Sequence, residues 1–443
     1  MRTLSPPPRA PWSRFGSAGS GSVVRAGASV AGPARLPGRG LFDDRTGRPS
    51  CLSSITRPRV AYLAMKIAID NVSPGTSTSA GTIGGMRTYL ENLLTEMLES
   101  APQHHFVLLT PDWNASFDFH RHPRLEVMSL PSVPRSRVRR VLYERTGYPS
   151  VIYRTGCDAY LGLCNTLPPG LRVPKAVVIQ STQFQFVPET YGFLQRNYLR
   201  WGVAKAVREA DALITQTEHS RQDVIRWVGV DPGKVHAVHP GLYFNPEDAS
   251  GPAPKDGQPY ILCVGAFYPY KNLFRLIEAF SLLKQDGLPH ELVIIGSDVP
   301  GMTRDGLFRH ARAFGVEDAL RLPGRVPRDV LEDLYRGADV FVMPSLYETF
   351  GHPLLEAMAF GCPVVAARAS CFPEVVGDAA ELVDPLSPEA IAQGLAAVIT
   401  VPSRRAELVR LGKARTNAFS WRTTAQKIVK VLETVAARRN VEC

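Results

Sequence analysis

The sequence lacks any apolar run long enough to cross a membrane as a helix, for which about 18 uncharged residues are needed. An integral membrane protein is therefore not expected. With 44% hydrophobic and 21% charged residues among 443, the composition is that of ordinary globular proteins, which excludes a collagen, a coiled coil, a disulfide-rich mini-protein and a wholly disordered chain. Its length and apolar content are enough for two buried cores, so we expect two domains.

Cysteines at metal-binding spacing are also missing. The seven cysteines form no C-x-x-C motif and no Cys/His cluster, so the sequence offers no thiolate metal site. An odd, scattered set is typical of reduced thiols in cytosolic proteins, and we expect these side chains to be buried as small hydrophobic groups. The seven are Cys51, Cys157, Cys164, Cys263, Cys362, Cys371 and Cys443.

The positive charge is concentrated at the beginning of the chain. Residues 1–64 contain ten Arg, no Lys and only two acids, which gives them +8 of the total net charge of +10. The remaining 379 residues therefore carry only +2. A nucleic-acid-binding function would rest on this Arg-rich segment alone, and we expect no nucleic-acid partner.

Residues 1–64 show neither helical nor strand periodicity and are rich in Pro, Gly, Ser and Arg. This composition is typical of a disordered tail. Three interpretations stay open. The natural start could be Met65, where a typical first strand begins. Residues 1–64 could instead be an organellar transit peptide, since these are rich in Arg and Ser and poor in acids, or they could be a real disordered extension.

From Met65 onward, predicted strands and helices alternate. Such alternation is typical of a parallel sheet with helices on both faces. The pattern covers residues 65–248, stops at a linker with Pro, Gly and Ser over residues 249–259, and resumes over residues 260–420. The sequence therefore predicts an α/β protein of two doubly wound, Rossmann-like domains, with a ligand cleft where the sheet ends face each other.

The segment PSLYETFGHPLLEAMAFGCPV, residues 344–364, carries the most informative pattern. Pro353 takes a preferred first position of a helix. The free N–H groups and the dipole of that helix form an anion site, which Gly351 lets a phosphate approach closely. Glu348 and Glu356 suit sugar or ribose hydroxyls when ionised. Alternatively, Glu356 is only a favourable first-turn acid and Glu348 a solvated loop residue.

This segment resembles the Glu-x7-Glu signature of the retaining GT-B glycosyltransferases of family 4, the group 1 glycosyltransferases. The resemblance covers about residues 65–440. It implies a GT-B fold with an acceptor-side domain first, a nucleotide-sugar domain second, and a last helix, 421–443, that crosses back to the first domain. It also implies that Glu348 contacts the transferred sugar and is catalytic, and that Glu356 contacts the nucleotide ribose. The neighbouring donor-binding residues would be Phe350, Gly351 and His352.

A second segment, VGAFYPYKN, resembles the strand and loop with which the family meets the donor diphosphate. The resemblance makes Gly265 a donor-binding residue and Lys271 a catalytic cation that acts as a point charge; the alternative is a surface lysine. The Arg that the family often carries beside this Lys is replaced by Tyr270. A third segment, LPGRVP, resembles the one that contacts the nucleobase, which makes Arg325 a donor-binding candidate.

The first domain supplies further candidates. The segment TIGGMR follows the first predicted strand and resembles the family's glycine loop, with Gly84 and Gly85 beside the donor phosphate or the acceptor. A G-x-G-x-x-G fingerprint is absent, which argues against a dinucleotide dehydrogenase. Where the family usually has His-Asp, this chain has Gln180 and Ser181; Gln can hydrogen-bond an acceptor hydroxyl but cannot act as a base. We expect His219 to be structural or exposed.

Two segments of the first domain interleave basic residues with apolar ones, residues 135–142 and residues 191–208. Members of the family that glycosylate lipid carriers dock on anionic membranes with such surfaces. The alternative is a solvated face whose apolar side lies in the core. The first interpretation implies a cytoplasmic protein in peripheral contact with the inner face of a membrane.

The resemblance as a whole implies an enzyme that moves a sugar, with mannose among the candidates, from a nucleotide diphosphate sugar to an acceptor hydroxyl with retained configuration. The acceptor would be a glycan or a lipid-linked molecule in polysaccharide, glycolipid or cell-envelope glycan synthesis. We expect no cofactor and no metal, since no D-x-D motif is present. The alternatives are a GT-B sugar-nucleotide epimerase and a non-catalytic relative that only binds nucleotide sugars.

Overall fold

A computed structural model gives the fold of the chain over residues 64–72, 85–112, 122–244 and 257–442. The expectations for residues 1–63, for Gly84 and for residues 249–256 lie outside the described residues. None of the helices in the described ranges is long and apolar enough to span a membrane.

The first sheet has seven parallel strands, and successive side chains of each strand enter opposite cores. Ile67 and Ile69 pack in one cluster of buried side chains and Ala68 in the other, as the two-residue repeat of a strand requires. Because both faces are covered, the strands are nearly continuous apolar runs. The strands are β1 Lys66–Asp70, β2 His105–Pro111, β3 Leu125–Leu130, β4 Ala159–Gly162, β5 Lys175–Ile179, β6 Ala212–Thr215 and β7 Val235–Ala237, in the order β3-β2-β1-β4-β5-β6-β7.

Helices cover both faces of this sheet. The helix over Glu218–Val228 shows how the local sequence sets where a helix begins and ends. Thr217 caps it, since its hydroxyl accepts a hydrogen bond from the N–H of Ser220 at 3.1 Å. The helix stops at Gly229, whose φ of 69° is left-handed. The helices are α1 Gly85–Ser100, α2 Arg137–Thr146, α3 Tyr148–Arg154, α4 Gln183–Phe186, α5 Phe193–Glu209 and α6 Glu218–Val228.

The second sheet has six parallel strands in the order β10-β9-β8-β11-β12-β13. They are β8 Tyr260–Val264, β9 Glu291–Ile295, β10 Leu320–Gly324, β11 Val340–Met343, β12 Val364–Ala367 and β13 Glu381–Val383. The helices are α7 Leu273–Gln285, α8 Arg304–Ala313, α9 Arg328–Gly337, α10 His352–Ala359, α11 Phe372–Val376, α12 Pro388–Thr400, α13 Pro402–Thr416 and α14 Trp421–Glu442.

Helix α14 packs on the first sheet rather than the second. Trp421, Ile428 and Leu432 are buried in the same cluster as Leu93 and Leu94 of α1. We call the part of the chain built on the first sheet, together with α14, the N-terminal domain, and the part built on the second sheet the C-terminal domain.

The expected α/β class with two doubly wound parallel sheets is confirmed. Details differ from the sequence-based expectation. The helix expected to begin at Pro353 begins one residue earlier, at His352. The five cysteines within the described ranges are free and buried, as expected; they are Cys157, Cys164, Cys263, Cys362 and Cys371.

Candidate active site

Lys271 and Glu348 meet at the carboxyl ends of β8 and β11, which are neighbours in the second sheet. Lys271 ends a short 3₁₀ turn after β8, and Glu348 lies in the loop between β11 and α10. The Nζ of Lys271 lies 2.5 Å from Oε1 of Glu348, with only 14% and 11% of the two side chains exposed. The two residues assigned to catalysis therefore form one ion pair, and the surface-lysine and solvated-glutamate alternatives are wrong.

Gly265 makes room for the side chain of Lys271. A Cβ atom on Gly265 would lie 3.1 Å from Cε of Lys271, and its φ of 154° is one that other residues rarely adopt. Gly265 therefore acts on the site by letting the ammonium group reach Glu348.

Ser370, which was not among the residues expected from the sequence, fixes the backbone of Glu348. The N–H of Glu348 donates to Oγ of Ser370 at 3.0 Å, and that hydroxyl donates to the carbonyl oxygen of Glu348 at 2.5 Å. Ser370 itself has a left-handed φ of 54°. This strained position before α11 is the kind that supports functional loops, but the sequence carries no pattern that marks it.

Gly351 caps the start of α10 with a left-handed φ of 94°. A Cβ there would lie only 2.7 Å from Cε1 of Phe372, so both backbone and packing require glycine. Phe350 was expected to contact the donor, but its ring is buried. That ring packs against His352 and Phe419, with centroids 4.7 and 5.6 Å away, and faces the core rather than a ligand.

His352 begins α10 as a neutral side chain. Burial lowers its pKa to about 3, and its ring stacks on Tyr243 with centroids 3.9 Å apart. Among the described residues, its Nε2 has no hydrogen-bond partner. A neutral imidazole can place an N–H there, so His352 can add one donor to the N–H groups at the start of α10.

Glu356 lies one turn into α10 and is buried. The hydroxyl of Tyr335 donates to its Oε2 at 2.8 Å, and burial raises its pKa to about 7. Glu356 is therefore not a solvated first-turn acid. A partly ionised carboxyl group with one oxygen held by tyrosine can use the other on a ligand hydroxyl.

Arg325 follows β10, the edge strand of the second sheet, and is exposed. Its Nη2 lies 3.4 Å from Oγ of Ser297, which follows β9. Arg325 therefore lies at the same carboxyl edge as Lys271, two strands away from β8. That position suits a ligand that extends along the sheet edge away from the ion pair.

Gln180 is held in place by hydrogen bonds within the N-terminal domain. Its Nε2 donates to the carbonyl oxygen of Leu163 at 3.2 Å, and its Oε1 accepts from Nε2 of Gln216. The backbone N–H groups of Gln180 and Ser181 both donate to Oδ1 of Asn165, at 2.7 and 3.4 Å. One N–H group and the oxygen of the Gln180 amide thus bind within the N-terminal domain, at the carboxyl edge of the first sheet. The second N–H of the amide is left over, and the acceptor role of Gln180 stays a prediction.

Ser181 and Gly85 complete the N-terminal candidates. Ser181 Oγ accepts a hydrogen bond from the N–H of Gln183 at 3.1 Å, which starts α4, and Gly85 begins α1. Neither contact brings them to the Lys271–Glu348 pair.

The residues on either side of Glu348 contact the N-terminal domain. The Tyr347 hydroxyl donates to Oδ2 of Asp223 at 2.7 Å and lies 2.9 Å from Oγ1 of Thr182. The carbonyl oxygen of Thr349 accepts from the hydroxyls of Thr217 and Ser220, at 3.1 and 3.3 Å. The loop between β11 and α10 is therefore held from across the cleft.

Glu374 of α11 makes a second contact across the cleft. Its carboxylate accepts from the N–H groups of Glu218 and His219 at 2.7 and 2.9 Å, and Nε2 of His239 lies 2.8 Å away. Burial is the largest single influence on the pKa of Glu374 and would raise it. These hydrogen bonds together outweigh burial, so the pKa is lowered. His219 is thus a structural residue at the start of α6, as expected.

Within the part of the chain that the structure describes, no group of three or more His, Cys, Asp or Glu side chains could hold a metal ion.

Comparison with family models assigns both domains. The model "Glycosyl transferases group 1" matches residues 245–415, which include Lys271, Glu348 and Glu356. The model "Glycosyl transferase 4-like domain" matches residues 84–241. The chain belongs to the group 1 glycosyltransferases. This confirms the family expected from the Glu-x7-Glu segment.

Two curated members of this family show similar sequences. The D-inositol 3-phosphate glycosyltransferase of Segniliparus rotundus is 29% identical over 238 residues, or 52% of this chain and 53% of that protein. The O-antigen chain mannosyltransferase B of Escherichia coli is 36% identical over 165 residues, or 37% of this chain and 43% of that protein. The chain spans about half the length of the curated relatives it matches.

A solved structure of the same architecture covers nearly the whole described chain. Sucrose-phosphate synthase from Thermosynechococcus elongatus superposes with a TM-score of 0.68 at 20% identity, over 84% of this chain and 99% of that one. At this identity the likeness shows the fold alone. The fold is GT-B, two Rossmann-like domains facing a central cleft.

Proposed function

We propose that this chain is a glycosyltransferase that moves a sugar from a nucleotide diphosphate sugar to an acceptor hydroxyl. The observation that carries the proposal is the buried Lys271–Glu348 pair beside the start of α10, in a chain with both family domains. A cation, a carboxylate and free helix N–H groups at one cleft suit a diphosphate joined to a sugar.

In the proposed reaction, the bond from the anomeric carbon to the leaving phosphate oxygen breaks, and a bond to the acceptor oxygen forms on the same face. The acceptor proton goes to the leaving phosphate oxygen, so configuration is retained and the atoms balance. Negative charge grows on the diphosphate as the bond breaks. Lys271 and the first N–H groups of α10 stabilise that charge where it develops.

Glu348 changes partners when donor binds. In the structure its carboxylate neutralises Lys271. A bound diphosphate would draw the ammonium group to itself, which frees Glu348 to accept a hydrogen bond from a sugar hydroxyl. Glu356, one turn along the same helix, would hold the nucleotide ribose with its free oxygen. We further propose that Lys271 and α10 supply the positive charge without a metal and that no cofactor is needed.

The names of the relatives suggest the sugar and the acceptor. One matched protein is a mannosyltransferase of O-antigen chains and another is an inositol-phosphate glycosyltransferase. We propose a hexose such as mannose as the sugar. The acceptor would be a glycan or lipid-linked hydroxyl in polysaccharide, glycolipid or cell-envelope glycan synthesis, and the reaction would take place in the cytoplasm.

One face of the N-terminal domain supports contact with an anionic membrane. Phe193 and Leu194, at the start of α5, are 70% and 82% exposed, and Trp201 on the same helix is 48% exposed. The Arg145 guanidinium lies 4.2 Å from the centroid of the Trp201 ring. Apolar side chains beside cations are what a peripheral membrane protein presents to acidic lipid. Arg140, which lies in the basic segment 135–142, is buried and is therefore not part of this surface.

The function is tested with a donor screen. Thermal shift measurements with GDP, UDP and dTDP, and then with their hexose conjugates, should show stabilisation by one nucleotide. Product analysis with that donor and added glycan acceptors should show a new glycoside. A free epimer or free sugar as the only product would favour the epimerase alternative, and binding without turnover would favour a non-catalytic relative.

A further inference from the structure

Tyr347, the residue before Glu348, is buried at the contact between the two domains. It is only 7% exposed, and its ring stacks on Phe186 of α4 with centroids 5.2 Å apart. Its ring also packs with Val187 and Tyr270 in a small separate cluster. A residue of the catalytic loop thus has its packing partners in both domains.

The hydroxyl group of Tyr347 has its hydrogen-bond partners Asp223 and Thr182 in the N-terminal domain. Its proton goes to the buried carboxylate of Asp223, at 2.7 Å, and its oxygen lies 2.9 Å from the Thr182 hydroxyl. Nδ1 of His219 lies 3.4 Å from the same carboxylate. A hydrogen bond to a buried carboxylate is of the strong, charge-assisted kind, and loss of one partner leaves the other buried and unpaired.

The side chain of Glu348 is held by the other domain. The carboxylate of Glu348 pairs with Lys271, and the backbone of Glu348 is fixed by Ser370. Both partners belong to the C-terminal domain. The carbonyl oxygen of Thr349, on its other side, again binds the N-terminal domain. The loop therefore carries Glu348 between two anchors that exist only while the domains touch.

We propose that Tyr347 and Asp223 are positioning residues that set Glu348 in its reactive place when the cleft is closed; this rests on the proposed function. Tyr347 does not touch the reacting atoms. It acts through the neighbouring residue, and its hydrogen bond to Asp223 couples closure of the domains to the geometry of the catalytic loop. An open cleft would leave Glu348 with only its C-terminal contacts.

The test compares Tyr347→Phe with a matched control, Tyr260→Phe. The Tyr260 hydroxyl donates to the carbonyl oxygen of Leu334 at 2.8 Å, within the C-terminal domain alone. Tyr347→Phe should lower kcat by roughly 10- to 100-fold, the scale of one hydrogen bond to a charged group. It should weaken the Kd for the nucleoside diphosphate by a smaller factor than it lowers kcat, because only the part of nucleotide binding that drives closure depends on Tyr347, whereas transfer also needs Glu348 in place. Tyr260→Phe should keep wild-type kcat.

A double-mutant cycle tests the partner. Asp223→Asn should resemble Tyr347→Phe, and the double variant should be no slower than the slower single variant, since both remove one contact. Additive losses, a wild-type kcat in Tyr347→Phe, or equal losses in Tyr260→Phe would each overturn the proposal. If Tyr347→Phe does not fold, Thr182→Val takes its place. It removes a neutral hydrogen bond to the Tyr347 hydroxyl, so kcat should fall by roughly 2- to 10-fold, and an unchanged kcat would overturn the proposal.

Small-angle X-ray scattering gives a readout that does not need activity. Saturating GDP or UDP, whichever binds, should reduce the radius of gyration of the wild type and of Tyr260→Phe, and reduce it less in Tyr347→Phe. Equal compaction in all three proteins would overturn the coupling. If the wild type transfers no sugar from any donor, the proposed function fails, while the scattering comparison still decides whether this contact holds the cleft closed.

Discussion

At the scale of single residues, the site depends on charges that are buried in pairs. Lys271 and Glu348 neutralise each other at 2.5 Å. Glu356 keeps a raised pKa because burial outweighs the lowering effects of the Tyr335 hydrogen bond and of the Arg328 charge. Removal of one member of a buried pair leaves the other uncompensated. Substitutions at these positions therefore have effects on both stability and catalysis, and the two must be measured separately.

Lys271→Ala should lower turnover by roughly 100-fold or more, the scale of losing one group that stabilises developing charge. Steady-state kinetics with the identified donor, with and without EDTA, measures this, and EDTA should have no effect on the wild type. Lys427→Ala, which removes an exposed lysine of α14, serves as the control. Normal turnover with only a raised Michaelis constant would mean that Lys271 binds ground state and transition state equally.

Glu356 should make stability depend on pH. Its pKa rises from 4.5 in the unfolded chain to about 7 in the folded protein. Between these values the folded state keeps a proton that the unfolded state has lost, so this group's contribution falls as pH rises from about 4.5 to 7. Glu356→Gln removes the titration, and its unfolding free energy relative to wild type should increase by roughly 2–3 kcal/mol over that range.

Urea unfolding of both proteins at pH 4.5 and pH 8 measures that difference, and every other group cancels in the comparison. A difference between the two proteins that does not change with pH would show that Glu356 titrates at its ordinary value in the folded protein.

At the scale of secondary structure, the start of α10 depends on glycine. Gly351→Ala should destabilise the protein more than Gly229→Ala at the end of α6. Both positions have left-handed φ, but a Cβ meets Phe372 at position 351 and open space at position 229. We expect roughly 1–2 kcal/mol for Gly229→Ala and about 1–3 kcal/mol more for Gly351→Ala, because of overpacking.

Chemical denaturation gives both values. Equal losses at positions 229 and 351 would show that Phe372 moves aside without cost, and that backbone strain alone accounts for both losses.

The elements around the site were largely predictable, since they follow from local pattern. The Glu-x7-Glu spacing placed Glu348 in a loop and Glu356 on the next helix, and the structure agrees. The long-range hydrogen-bond partners of the residues around the site were not predictable. Tyr347 binds Asp223, which lies 124 positions away, and no local pattern encodes such a contact. The hydrogen bond to Gln180 from Gln216, which lies 36 residues further along, is likewise not encoded in a local pattern.

At the scale of the whole molecule, the exposed face at the start of α5 should decide membrane binding. Phe193→Ser with Leu194→Ser should reduce sedimentation with phosphatidylglycerol vesicles roughly tenfold or more, because apolar area no longer enters the lipid. The matched control is Leu386→Ser, a 62% exposed leucine of the C-terminal domain. Equal sedimentation of wild type and both variants, or no binding by the wild type, would contradict a membrane role for this face.

The return of α14 to the first sheet fixes how the cleft can move. The chain leaves the N-terminal domain after Gly241 and re-enters it at Trp421, and these two crossings touch: a Cβ on Gly241 would collide with the backbone N of Trp421. The Trp421 indole donates to the carbonyl oxygen of Leu242 at 2.7 Å, and the Thr424 hydroxyl to that of His239 at 2.7 Å. Two covalent crossings at one place form a single pivot. We therefore expect opening to be a rotation about an axis through this pivot, in which each atom's displacement is proportional to its distance from that axis.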